Sequence, residues 1–140
     1  MTTAEAPVAA TEATTPNTPF YRLGGHPTFR AVCDHFYDLM DSDPAYAELR
    51  AMHAPDLSRM KESLALFLAG WAGGPRDWFE QNPGRCMMSV HKPYTISKTV
   101  AEQWADCMQR AVADAGIEDA ELGKAMGGVL SELALGMGKD

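Results

Sequence analysis

The 140-residue sequence contains no long apolar run, and its first twenty residues contain no lysine or arginine. A membrane-spanning helix needs about 20 consecutive, mostly apolar residues. A secretory signal begins with a positively charged segment that leads into an apolar block. The sequence therefore predicts neither a membrane span nor a secretory signal within these residues.

Cysteine is scarce and unpatterned. The chain has three, Cys33, Cys86 and Cys107, and no Cys-x-x-Cys pair. Disulfide frameworks and cysteine zinc sites both depend on paired, regularly spaced cysteines. We therefore expect neither, and we expect a reducing, cytoplasmic location.

Positive charge is also in short supply. Twelve lysines and arginines face 19 aspartates and glutamates, which gives a formal net charge of −7. Phosphate backbones and anionic lipids both attract basic surfaces. The sequence therefore argues against nucleic acid or a membrane as a partner.

Familiar catalytic signatures are missing as well. The sequence has no Gly-x-Gly-x-x-Gly or phosphate-binding loop, no His-Glu-x-x-His and no Gly-x-Ser-x-Gly. These patterns mark nucleotide, metalloprotease and serine hydrolase sites respectively. Nucleotide binding and acid–base or nucleophilic catalysis therefore receive little support.

Hydrophobic residues make up 46% of the chain, enough for a folded domain. Residues 1–19 are mostly threonine, alanine and proline, with little to bury, and we expect a disordered tail there. We expect residues 20–140 to form one domain.

Apolar residues recur every three or four positions in four segments, the spacing of one helix face. No stretch alternates with period two, so the predicted fold class is all-α, with about four main helices. We expect the second to begin near Pro55 or Asp56 and the third at Ser97 or Thr99, where Thr99 and Glu102 have capping-box spacing. Residues 76–90 are expected to be irregular. The four stripes are Phe29, Val32, Cys33, Phe36, Tyr37 and Met40; Leu57, Met60, Leu64, Phe67, Leu68 and Trp71; Val100, Trp104, Cys107, Met108, Ala111 and Ala115; and Leu122, Met126, Val129, Leu130, Leu133 and Met137.

The histidines are the remaining candidates for chemistry. His26 and His35 are expected at the surface, whereas His53 and His91 each lie in a linker beside a core helix. A haem needs one axial nitrogen, an apolar slot and a few polar groups near the open face of the iron. A histidine near a proline, with Tyr37 and Trp104 inside apolar stripes, is compatible with such a pocket.

Six segments carry a family resemblance, in order along residues 20–138: "RLGG", "FYDLMDSDP", "LRAMHAPDL", "LALFLAGWAGGP", "VHKPYTIS" and "WADCMQRAV". Together they resemble the truncated haemoglobins of group II. The resemblance implies a shortened globin fold, a two-over-two helical sandwich around haem b (iron protoporphyrin IX).

The resemblance also implies residue roles. His91 would be the proximal ligand of the haem iron. Trp104, which we expect to be buried, and Tyr37 would offer an indole N–H and a hydroxyl to the ligand on the distal side. His53 would be a third polar residue there, either a donor to the ligand, a residue facing solvent, or an internal ligand of the iron.

Further residues would line the haem. Met60 corresponds to the distal gate, where it replaces a small residue, and Leu64 would face the iron one turn later. The basic residues that usually precede the proximal histidine are replaced here by Met88 and Val90, so Arg85 or Lys92 would have to hold the propionates. The other implied lining residues are Phe67, Leu68, Tyr94 and Ile96.

The function expected on this basis is reversible binding of dioxygen and other diatomic ligands at a five-coordinate iron. Slow release would suit scavenging, sensing or redox chemistry better than bulk oxygen transport. Three alternatives remain open. One is a nitric oxide dioxygenase or peroxidase-like enzyme that needs a reductase partner, another is a six-coordinate sensor or electron-transfer protein, and the third is a haem-free interaction module. Either a monomer or a homodimer is compatible with the sequence.

Overall fold

The computed structural model describes residues 17–86, 90, 91 and 93–139. Its elements are helices and short turns, which confirms the all-α prediction. No helix in this part of the chain is long and apolar enough to cross a membrane. In chain order the elements are α1 (Pro19–Arg22), α2 (His26–Ser42), a 3₁₀ turn (Pro44–Tyr46), α3 (Ala47–Ala51), α4 (Ser58–Trp71), α5 (Asp77–Gln81), α6 (Lys98–Asp114) and α7 (Ala120–Leu135).

The four long helices pack as two pairs that meet through α2. This helix packs against α4 on one side and α6 on the other, and α6 also packs against α7. The short elements between α2 and α4 lie against α6. An isolated β-bridge between Ser97 and Lys139 holds the end of the chain to the start of α6.

Helix α2 confirms its predicted face. All six residues of its stripe are buried, and none is more than 2% exposed. Pro27 lies in the first turn, where a missing N–H costs nothing because that group has no partner inside the helix. The helix therefore forms the centre of the core, with tyrosine and cysteine side chains among its apolar residues.

Helices α4 and α7 depart from their predicted stripes. Helix α4 begins at Ser58, later than predicted, and Met60 in its first turn is 40% exposed. On α7, Val129 and Leu133 are 46% and 42% exposed, so the buried face is narrower than the sequence pattern suggested. A helix period alone does not show how much of a stripe a neighbour covers.

Two other local predictions are decided by the structure. Of the two predicted starts of α6, Ser97 and Thr99, the first is confirmed, because the Ser97 hydroxyl accepts a hydrogen bond from the Val100 N–H at 3.1 Å. The segment after α4, predicted to be irregular, contains α5. That helix forms because burial of Trp78 against Phe67, with ring centroids 5.1 Å apart, stabilises a single turn.

The start of the described chain docks on the end of α4. Thr18 Oγ1 donates to the carbonyl of Gly73 at 2.9 Å, and the Phe20 N–H donates to the carbonyl of Ala72 at 3.0 Å. Gly73 has φ +92°, and a Cβ there would lie 2.6 Å from that of Thr18. The folded part therefore includes Thr18, while residues 1–16 of the expected tail lie outside the described residues.

Candidate functional site

Tyr37 lies in the middle of α2 and is 2% exposed. Burial, with smaller contributions from Cys33 and Cys107, raises the pKa of its phenol well above the usual range. The hydroxyl is therefore a neutral O–H. No residue in the described part of the chain forms a hydrogen bond with it.

Tyr37 belongs to a group of four aromatic side chains. The Phe36 ring lies 4.9 Å from that of Tyr37 and 5.2 Å from that of Trp104, between centroids. The His53 ring lies 5.9 Å from that of Tyr37. We call these four residues the Tyr37 cluster. Tyr37 on α2 thus contacts His53 in the linker before α4 directly, and it is joined to Trp104 on α6 through Phe36.

Trp104 is less buried than the sequence suggested. Its side chain is half-buried, although it packs against the core through Phe36. Across residues 17–86, 90, 91 and 93–139, its indole N–H meets no acceptor. Two polar groups of the cluster, one O–H and one N–H, are thus left without a protein partner in this region.

His53 has one ring nitrogen engaged. Its Nδ1 lies 2.9 Å from the carbonyl oxygen of Leu49. A carbonyl only accepts, so Nδ1 carries the proton and, in the neutral ring, Nε2 carries a lone pair. Burial is the main cause of a lowered pKa. The Leu49 contact opposes the shift, and the positive charge of Arg50 adds to it. His53 is therefore held neutral.

A second group of polar contacts forms around Tyr46. The Tyr46 hydroxyl donates to Asp106 Oδ2 at 2.6 Å and accepts from Arg110 at 2.9 Å. Arg110 also donates to Asp43 Oδ2 at 2.8 Å. Burial, followed by the Asp106 contact, raises the pKa of Tyr46 to about 12. These contacts join the turn after α2 to α6.

Gln103, next to Trp104 on α6, makes a further contact with the segment that follows α2. The side-chain oxygen of Gln103 accepts from the Leu49 N–H at 3.0 Å. Sequence reasoning missed Gln103 and the Tyr46 group. Their partners are more than 50 positions away in the chain, and no local pattern predicts such pairs.

The predicted proximal segment lies partly in the described residues. Val90 and His91 are helical, and the carbonyl of His91 accepts from the Tyr94 N–H at 3.0 Å. His91 is exposed, Tyr94 is 59% exposed and Ile96 is half-buried. Of the basic candidates, Arg85 is exposed. Met88 and Lys92 lie outside the described residues.

The lining residues predicted on α4 separate into two groups. Met60 is exposed and Leu64 is half-buried. Phe67 and Leu68 are buried, and the rings that contact Phe67 are those of Trp78 and Phe79, at 5.1 and 5.5 Å. The ring contacts thus place Phe67 in a second aromatic group rather than in the Tyr37 cluster.

Comparison with known proteins decides the family. The model of the bacterial-like globins matches residues 18–138. The group II 2-on-2 haemoglobin of Agrobacterium tumefaciens is 30% identical, with a TM-score of 0.82 over 90% of this chain and 97% of that one. The chain belongs to the group II truncated haemoglobins.

Other relatives agree. The cold-adapted truncated haemoglobin of Pseudoalteromonas haloplanktis is 29% identical, with a TM-score of 0.82 over 89% of this chain and 99% of that one. The group 2 truncated haemoglobin YjbI of Bacillus subtilis is 28% identical over 73% of this chain and 74% of its own. The expected 2-on-2 globin fold is confirmed, and membership of this family implies a haem cofactor.

Proposed function

We propose that this truncated haemoglobin binds dioxygen and other diatomic ligands at a haem b held by His91, with Tyr37, Trp104 and His53 around the ligand. The observation that carries the proposal is the buried Tyr37 hydroxyl. Buried hydroxyl groups are nearly always hydrogen-bonded, so an unpaired one calls for a partner that the protein itself does not supply. A small polar ligand in the cluster would be that partner.

The chain's residues fit the cofactor. Haem, when bound, supplies an iron that takes a diatomic ligand reversibly. The exposed imidazole of His91 offers the axial nitrogen that a haem iron takes. The exposed side chains of Met60 and Tyr94 are large and apolar. A bound porphyrin that packed against these side chains would remove their unfavourable exposure to water.

The polar groups of the cluster would act in different ways. Tyr37 would donate its O–H and Trp104 its N–H to the ligand. His53, with its proton on Nδ1, would present a lone pair instead, so we revise the expected three donors to two. A hydrogen bond in a dry pocket contributes about 1 kcal/mol, which slows release roughly fivefold. Two such bonds favour retention of the ligand over bulk transport.

The geometry also favours a second candidate, in which His53 itself binds the iron when no ligand is present. Its Nε2 lone pair is the group that such coordination needs. A low-spin ferrous spectrum without added ligand, lost in His53→Ala, would support this form. A five-coordinate ferrous spectrum in the wild type would exclude it.

Absorption spectra of the full chain test the main proposal. The purified protein is mixed with haem and recorded in the ferric and dithionite-reduced states, beside His91→Ala and His35→Ala. His35 is an exposed histidine on α2 and serves as the matched control. We expect a Soret band in the wild type and in His35→Ala, and a weakened or lost five-coordinate ferrous spectrum in His91→Ala.

Two outcomes would contradict the proposal. The first is a wild type that takes up no haem specifically, which would leave only a helical fold. The second is a His91→Ala protein with the wild-type ferrous spectrum, which would assign the iron to another residue.

A further inference from the structure

Leu49 connects α6 to His53 through both of its backbone groups. Its N–H donates to Gln103 Oε1 at 3.0 Å, and its carbonyl accepts from His53 Nδ1 at 2.9 Å. Leu49 is 3% exposed, so water does not replace either partner easily. Gln103 immediately precedes Trp104 on α6. One side chain therefore links the helix that carries Trp104 to the residue that orients His53.

The segment of the 3₁₀ turn and α3 also contacts α6 at two other points. Gln103 Nε2 donates to Glu48 Oε1 at 3.3 Å, an exposed contact. The Tyr46 hydroxyl contacts Asp106 and Arg110, about one and two turns further along α6. Among these contacts, only the one between Gln103 and Leu49 involves the residue that binds the His53 ring.

We propose that Gln103 is a positioning residue for His53, which holds the end of α3 against α6 so that the imidazole keeps its proton on Nδ1 and its lone pair on Nε2. The functional meaning of this role rests on the proposed ligand pocket. With Gln103 in place, the Leu49 carbonyl keeps the proton on Nδ1, and Nε2 of His53 remains an acceptor. Without it, α3 loses its contact with α6 at Leu49, and the Leu49 carbonyl keeps only the local hydrogen bond from the Met52 N–H at 3.1 Å. The His53 ring can then turn away from that carbonyl, move its proton to Nε2 and become a donor.

The physical basis is the coupling between the two ring nitrogens. The hydrogen bond made by one nitrogen decides which of them carries the proton. Leu49 lies in a single turn of helix, Ala47–Ala51, and so short a helix depends on outside contacts for its position. Loss of the Gln103 acceptor would also leave the Leu49 N–H buried and unpaired, which drives local rearrangement.

Nitrogen NMR of histidine-labelled protein tests this inference, because the ¹⁵N shifts distinguish the two tautomers. The full chain is measured as purified and, in the haem-loaded sample, as the diamagnetic ferrous carbon monoxide complex. The variants are Gln103→Leu, which removes the acceptor; Gln103→Glu, which keeps an oxygen acceptor; and Glu48→Ala, which removes the other partner of Gln103. We expect the wild type, Gln103→Glu and Glu48→Ala to show Nδ1–H at His53. We expect Gln103→Leu to shift towards Nε2–H.

A wild type with the proton on Nε2, or a folded Gln103→Leu with the wild-type tautomer, would overturn the inference. If Gln103→Leu does not fold, Gln103→Asn decides, because its shorter side chain would lose the Leu49 N–H while remaining polar, and we expect the same shift. Haem uptake is scored separately by the Soret band. Failure of the pocket and failure of the positioning role therefore give different results.

Discussion

Tyr37 and Tyr46 are two tyrosines of nearly equal burial, 2% and 1% exposed, whose hydroxyls have opposite surroundings. The Tyr46 hydroxyl has two partners, Asp106 and Arg110. The Tyr37 hydroxyl has none in the described part of the chain. Both pKa values are raised, chiefly by burial, so both phenols remain protonated.

The contrast separates two uses of a buried polar group. A fully paired hydroxyl specifies how two parts of the fold meet, and here it joins the turn after α2 to α6. An unpaired one is unfavourable for folding alone and becomes useful when a ligand supplies the missing partner. The contrast favours a structural role for Tyr46 and supports the ligand-binding role that we propose for Tyr37.

The largest expected effect is on ligand release. Tyr37→Phe would remove a donor from the proposed pocket, and loss of about 1–1.5 kcal/mol corresponds to dioxygen dissociation that is about five to ten times faster. Tyr46→Phe would leave the dissociation rate within about twofold of wild type, since it removes no donor to the ligand. Stopped-flow displacement of dioxygen from the haem-loaded protein measures both rates. Equal dissociation rates in the two variants would contradict the different roles given to the two tyrosines.

For stability we expect the reverse order, with a larger loss in Tyr46→Phe than in Tyr37→Phe. Tyr46→Phe would leave Asp106 and Arg110 without their shared partner and lower the free energy of unfolding by about 1–2 kcal/mol. Tyr37→Phe removes a hydroxyl that has no partner in the protein, so we expect a change within about 0.5 kcal/mol. Urea unfolding of the ligand-free protein measures the difference. A Tyr37→Phe protein destabilised as much as Tyr46→Phe would show that the Tyr37 hydroxyl is paired after all.

The smallest expected effect is on the pH dependence of stability, and it concerns the ion pair between Asp43 and Arg110. The hydrogen bond from Arg110 holds the pKa of the Asp43 carboxyl below its usual range. A carboxyl with a depressed pKa in the folded state stabilises the fold above its unfolded pKa, near 3.9, and loses that contribution as the pH falls through the lower folded value. Wild type should therefore be slightly more stable than Asp43→Asn at pH 6, with the difference vanishing in acid. Urea midpoints at several pH values measure it, and a difference that persists in acid would rule out ionisation as the cause.

The sequence predicted some features well, for reasons that differ from residue to residue. The buried face of α2 follows from its helical period, because α4 and α6 together cover every residue of the predicted stripe. The grouping of Tyr37, His53 and Trp104 followed from the family resemblance, and the structure places them in one cluster. The roles of these residues toward haem stay predictions.

Other features depend on tertiary contacts that no local pattern contains. Val129 and Leu133 fit the period of α7 but lie exposed, because no described neighbour covers that part of the face. The position of the proton on Nδ1 of His53 follows from its contact with the Leu49 carbonyl, which a sequence cannot show. The pairing of Gln103 with Leu49 spans 54 positions and is equally hidden.

The most direct test of the central claim, that the Tyr37 hydroxyl is left unpaired for the ligand, is the infrared C–O stretch of the carbon monoxide complex. This frequency responds to hydrogen-bond donors beside the ligand. The wild type, Tyr37→Phe and Tyr46→Phe would be compared in the same haem-loaded ferrous state. We predict a shift to higher frequency in Tyr37→Phe and no shift in Tyr46→Phe. An unchanged frequency in Tyr37→Phe would contradict the claim, because the hydroxyl would then make no contact with the ligand.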